Sequence, residues 1–217
     1  MKQIVLAVVL ASPAIALAQA DRTSLFTAPQ QPWSSSDRQV RLLRPAVAQS
    51  SDSQAPLASL MTQGWRLDWS GETDSEGTVA IRLILPVVPT SGNGQKIEVL
   101  QVGWSASPEA IRTCLTFGLD GSNSKRLPSR TINGISFTSF SNGDSGMSQS
   151  IDATDLRAVV GDRCYAVERF SYAVEASDAD ATVKLTQKQG AGMLDASLAS
   201  LHLGPGQPLS TPQAVSQ

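Results

Sequence analysis

The chain has 217 residues, 41% of them hydrophobic, and its 17 Lys and Arg against 19 Asp and Glu leave a net charge of −2. That balance offers no basic field to a phosphate backbone, so nucleic acid is not an expected partner. Two cysteines and one histidine are too few for a clustered zinc site, and no C-x-x-C redox motif is present.

In chain order, residues 1–20, MKQIVLAVVLASPAIALAQA, read as a signal peptide. Lys2 is the charged start, an apolar run follows, and Ala18 and Ala20 flank a cut before Asp21. The run is short and holds Pro13, whereas a spanning helix needs roughly 20 apolar residues. No cysteine follows the cut to carry a lipid, and no later stretch is apolar enough to span. The expected product is a bacterial protein that is periplasmic or secreted and does not span a membrane.

Residues 21–57 are rich in Ser, Gln, Pro and Ala and lack an apolar period. The expectation is a flexible linker, with Arg38, Arg41 and Arg44 on a solvated stretch. Residues 58–203 are then one domain with one core, and 204–217 a disordered tail. Within the domain, TVAIRLILP (78–86) alternates as a strand ending at Pro86, and KIEVLQVGW (96–104) is a second strand. Ser107, Pro108 and Glu109 are helix-start residues and predict a short helix reaching Cys114. INGISFTSF (132–140) predicts a strand entered through Asn133-Gly134. Residues 155–174 predict a hairpin turning at Gly161-Asp162. GMLDASLASLHL (192–203) puts Met193, Leu194, Leu198 and Leu201 on one helical face, with Gly204 and Pro205 as the stop. The fold class is α+β: an antiparallel β-sheet with short helices packed on it. Cys114 and Cys164 are expected to form one disulfide, which export permits.

Over roughly residues 64–203 the chain also resembles a known layout. The features are the strand Ile81–Pro86, Cys114, the I-N-G-x-x-F strand from Ile132, Gly143–Met147, Gly161–Tyr165 with Cys164, and the L-D-x-x-L-x-S-L helix from Leu194. Together they resemble small exported bacterial proteins of uncharacterised function with a PsbP/Mog1-like layout. The resemblance implies a fold and no activity.

G-D-S-G, Gly143–Gly146, spells the nucleophile signature of chymotrypsin-like proteases. An activated serine needs an oriented base. The chain's one histidine, His202, comes 57 positions after Ser145, in the wrong order for that family. An α/β-hydrolase elbow needs glycine where Met147 stands, and Lys125 and Lys184 lie in no dyad motif. The expectation is a turn, with Gly143 and Gly146 less replaceable than Ser145. Glu72, Asp74 and Glu76, and Asp178 and Asp180, read as solvated loops rather than acid–base pairs or calcium ligands. Trp65, Trp69 and Trp104 read mainly as core, as do Phe137, Phe170, Tyr165 and Tyr172. No phosphate loop or dinucleotide fingerprint is present, so no catalytic residue, metal or cofactor is expected.

The expected role is a non-enzymatic exported protein binding an unknown partner protein or envelope component. Asp144, Ser145, Trp65 and Trp69 are its candidate binding rim. The alternatives are an envelope hydrolase using Ser145 or loop carboxylates, and a carrier with an apolar pocket between sheet and helix.

Overall fold

A computed structural model of the chain describes residues 29–50, 64–67, 76–87, 95–116, 124–146, 149–174 and 185–205. The strands are β1 (Gln30–Ser34), β2 (Val40–Pro45), β3 (Gln49–Ser50), β4 (Thr78–Val87), β5 (Gln95–Ser105), β6 (Lys125–Ile132), β7 (Ile135–Gly146), β8 (Gln149–Val160), β9 (Arg163–Val174) and β10 (His202–Leu203). The helices are α1 (Pro108–Thr113) and α2 (Gln187–Ala199). Strands β3-β4-β5-β9-β8-β7-β6 form a seven-stranded antiparallel sheet, and β1-β2-β10 a small second one. The α+β class expected from the sequence is the observed one.

Period-2 alternation gives the large sheet two faces. On one, Ile81, Leu83, Leu85, Leu100, Val102, Leu156 and Val167 meet α2 through Met193, Leu194 and Leu198, and β2 through Val40 and Leu42. Each large side chain buried there stabilises the fold by about 1.5–3 kcal/mol. The helix lies directly on the strands: a Cβ on Gly190 would come 2.6 Å from a Val87 methyl. No ligand fits between sheet and helix at that contact. The opposite face buries Ile84, Val99, Phe170 and Tyr172, and nearer α1 a cluster of Trp65, Ala110, Cys114, Cys164 and Ala166.

Local chemistry explains the element ends. Ser107 accepts from the Ala110 amide at 3.1 Å and Pro108 opens α1. Thr186 and Gln189 make a reciprocal capping box at the start of α2, so the helix starts before Gly192. It ends at Ala199, and His202 and Leu203 leave to pair with Arg41 and Val40. Asn133 and Gly134, at φ 46° and 82°, form the two-residue turn joining β6 to β7. Strand β6 carries no sequence signal: KRLPSRTI has no alternating apolar pattern and is exposed at most positions, because among the described residues it is an edge strand paired only with β7.

The linker expected over residues 21–57 is corrected at 30–45, where β1 and β2 form. Leu42 is wholly buried and Arg41 only 8% exposed. Strand β1 pairs with β2, and β2 in turn pairs with β10 far along the chain, a contact that leaves no local signature. Pro86 does not end β4, which runs to Val87. Strand β3 pairs only with Leu83 and Ile84, so Pro86 sits past its reach, where no ladder donor is needed on that side. The signal peptide expected over residues 1–20, the tail expected beyond residue 205, Trp69, Glu72, Asp74, Asp178, Asp180 and Lys184 lie outside the described residues. Cys114 and Cys164 are bonded, with Cα atoms 5.6 Å apart, which joins the end of α1 to the start of β9. Among the described residues no helix is long and apolar enough to cross a membrane.

Candidate functional site

The sequence-predicted site residues do not come together. Gly143–Gly146 is the end of β7, paired with β8 through Gly143↔Asp152 and Ser145↔Ser150. It is strand, not turn: the ladder with β8 continues to Gly146↔Gln149, and just before it Asn142 turns inward and donates to Asp155. Ser145 is exposed, and its amide donates to the Asp144 carboxylate at 2.8 Å. A Cβ on Gly143 would crowd the Ile151 carbonyl at 3.2 Å, while one on Gly146 would meet open space. Gly146 is therefore replaceable, contrary to expectation.

His202 lies at the other end of β7. Asn133 donates to the Leu201 carbonyl at 2.8 Å and to that of Ala199 at 3.1 Å. The last helix and His202 are thus tied to the β6–β7 turn. From Ile135 to Ser145 the strand runs roughly 33 Å at about 3.3 Å per residue. His202 cannot serve Ser145, and its Nδ1 rests 2.9 Å from the Ser200 carbonyl. Lys125 faces Ser141, not Ser145. Glu76 is exposed, and its carbonyl accepts from Ser105.

Trp65 is 1% exposed, so it is core and not rim. Its carbonyl lies where a Cβ of Gly103 would be, 1.8 Å away, and its ring 2.0 Å from that of Gly77. Only glycine allows this approach. Trp104 is half-buried, and Arg163 stacks 3.8 Å above its ring.

What the fold does gather is a charged cluster inside the sheet. Cross-strand pairing sets Asp155 beside Glu168 and Glu168 beside Gln101, which in turn pairs with Arg82. Arg157 reaches Glu168 at 2.8 Å, with the two side chains 1% and 0% exposed. Gln101 donates to Glu168 at 3.0 Å and accepts from Arg82 Nε at 2.6 Å. The Leu67 amide donates to Glu168 at 2.6 Å, and Gln101 reaches the Gly64 carbonyl at 3.5 Å. Residues Gly64–Leu67 thus form a strap over the cluster, with Arg66 4.9 Å from the Trp65 ring. Burial, the largest influence, pushes the Glu168 carboxyl up to about 7. Arg157 and the Leu67 amide pull it down, and Asp155 pushes it further up. Burial also lowers Arg82, against the pull of Glu168. The Glu168 side chain is wholly buried, and its oxygens are held by the Leu67 amide, Arg157 and Gln101.

A second feature lies on the surface. Edge strand β6 exposes Lys125, Arg126 and Arg130, and no ion pair to them occurs among the described residues. Elsewhere Arg112 is paired with Glu109, Arg163 with Asp37, and Arg169 with Glu98. Pro128 and an irregularity between Leu127 and Arg130 interrupt the ladder of β6, which guards the edge against another strand. Among the described residues no group of three or more His, Cys, Asp or Glu is arranged to hold a metal ion.

No protein-family model matches the chain, and no curated protein matches it. Among solved structures it is similar to LpqN, described as involved in cell envelope biogenesis of Mycobacterium tuberculosis. The identity is 10% and the TM-score 0.41, over 89% of this chain and 100% of that one. A likeness at this level decides neither family nor activity, and it does not bear on the PsbP/Mog1-like layout.

Proposed function

We propose that the chain is an exported, non-enzymatic protein that binds an anionic partner, either a partner protein or an envelope component, through the outer side of β6. The observation that carries this reading is the three exposed cations Lys125, Arg126 and Arg130, outside ion pairs among the described residues, on both faces of an edge strand with no neighbour beyond it among those residues. Pro128 keeps the edge from adding a strand, so contact is made by side chains and is screened by salt. Export is supported by the leader pattern and by the Cys114–Cys164 bond, which persists in oxidising compartments. The separation of Ser145 from His202 speaks against the hydrolase reading.

The test places a photo-crosslinking residue at Arg126 in the full chain in cells, with one at Glu109 as control. Adducts specific to position 126, lost in the triple variant Lys125→Glu, Arg126→Glu, Arg130→Glu and weakened by salt in extracts, are expected. Equal adducts at both positions, or adducts indifferent to charge reversal, would remove β6 as the docking surface.

A further inference from the structure

The β6–β7 turn holds the end of the last helix through one side chain. Asn133 and Gly134 are both exposed, at φ 46° and 82°. The Asn133 side-chain nitrogen donates to the carbonyls of Ala199 at 3.1 Å and Leu201 at 2.8 Å. Ala199 is the last residue of α2, so its carbonyl is among those without a partner inside the helix. Asn133 supplies that partner from another element, at the end where the aligned peptide dipoles leave negative charge.

Asn-Gly is also a reactive dipeptide, because glycine puts no side chain in the way of its own amide nitrogen. The sequence holds three: Asn93-Gly94, Asn133-Gly134 and Asn142-Gly143. The first lies outside the described residues. Asn142 is 6% exposed, its side chain accepts from Ser124 and donates to Asp155, and its backbone is paired with Ala153 in the β7–β8 ladder. Freeing Asn142 means parting two strands of the large sheet. Asn133 sits at an exposed turn behind two hydrogen bonds, and such a turn opens at less cost than a sheet ladder. Nothing lies within 4 Å of where a Cβ on Gly134 would be, so solvent has access to the peptide that would react.

We propose that Asn133 is a site of spontaneous deamidation, entered when the turn opens, and that the product unfastens the end of α2. In the opened turn the Gly134 amide nitrogen gives up its proton and bonds to Asn133 Cγ. The bond from Cγ to Nδ2 breaks, and Nδ2 takes up a proton and leaves as ammonia. Water then adds to the five-membered imide and opens it at either carbonyl, which leaves Asp or isoaspartate at position 133. The product carries a carboxylate where two N–H donors stood. Back in the closed turn it faces two carbonyl oxygens at the negative end of α2, so repulsion replaces hydrogen bonding. Leu201, His202 and Leu203, which lead from α2 into the pairing with β2, lose their tie to the β6–β7 turn. The site is independent of the docking reading for β6.

The experiment ages the full chain in warm, mildly alkaline buffer and follows its peptides by mass spectrometry, with an isoaspartate-specific methyltransferase to separate the two products. Asp and isoaspartate are expected to accumulate at Asn133 at least about tenfold faster than at Asn142, and the two rates should converge when the chain is unfolded in urea. Asn133→Asp reproduces the aspartyl product. It should melt below wild type at neutral pH and regain part of the loss, against wild type at the same pH, as pH falls through the ordinary carboxylate range, where the neutral carboxyl donates again. Asn133→Gly removes the donor and adds no charge, so its loss should lack that pH dependence. Deamidation at Asn133 no faster than at Asn142 in the folded chain overturns the site. An Asn133→Asp variant as stable as wild type, or one whose loss does not change with pH, overturns the consequence drawn for α2.

Discussion

The Arg157 guanidinium and the Glu168 carboxylate meet at 2.8 Å inside the large sheet, with neither side chain more than 1% exposed. A buried pair of this kind gains little over an apolar pair, but loss of one partner leaves a charge without water. Arg157→Met is therefore expected to destabilise the fold by about 3–5 kcal/mol in urea unfolding. Glu168→Leu combined with Arg157→Met should cost less than the sum of the two single changes. Additive losses would show that the two groups do not act together.

Asp37, in the β1–β2 turn, accepts from Ser35 at 2.6 Å and from Arg163 at 2.7 Å. Burial works against its charged form, but these donors and the Gln39 amide prevail and hold the carboxyl down at about 2. A depressed carboxyl contributes stability that is complete above its ordinary value and fades as pH falls through about 2. NMR titration of Asp37 should show that depression, and Arg163→Ala should return it toward the ordinary range. An unmoved Asp37 titration in the variant would show that Arg163 is not its partner in solution.

Gly103 lies under the strap with no space for a methyl group, whereas Gly146 faces open space. Gly103→Ala is expected to displace Trp65 and cost about 1–3 kcal/mol, as overpacking does. Gly146→Ala should stay within about 0.5 kcal/mol of wild type. Thermal melts of the two variants separate them, and equal stability would place the strap elsewhere in solution.

The Cys114–Cys164 bond closes a loop with a sequence separation of 50. In the chain-entropy model its removal costs about 4 kcal/mol. Cys114→Ala with Cys164→Ala should therefore lower the melting temperature substantially, and reduction of the wild type should do the same. A melting temperature unaffected by either change would deny the bond a stabilising role.

Ser145 should not react with a fluorophosphonate probe, and Ser145→Ala should leave stability unchanged. Its hydroxyl is exposed at the far end of β7 from His202. Stoichiometric labelling of Ser145 would reopen the hydrolase reading.

Much of this protein is local, and its sequence alone determined that much. Alternation specified β4 and β5, because each carries its own period of buried residues. Gly161-Asp162 set the β8–β9 hairpin, and Ser107-Pro108 set the start of α1, because turns and caps are decided by residues a few positions apart. The disulfide followed from having only two cysteines. That hairpin register also puts Asp155 opposite Glu168, so half of the buried cluster was implicit in a turn already recognised. The rest was decided only by tertiary structure. Strand β2 is held by β10 and α2 from more than 140 residues away, contacts with no local signature, and β1 is added to it by a short turn. Edge strand β6 has no buried period to read, since its order comes from β7. The Leu67 amide reaches Glu168 across 101 positions, and only folding can remove water from a carboxyl group. Ser145 and His202 could be paired on paper, but the length of one β-strand keeps them apart.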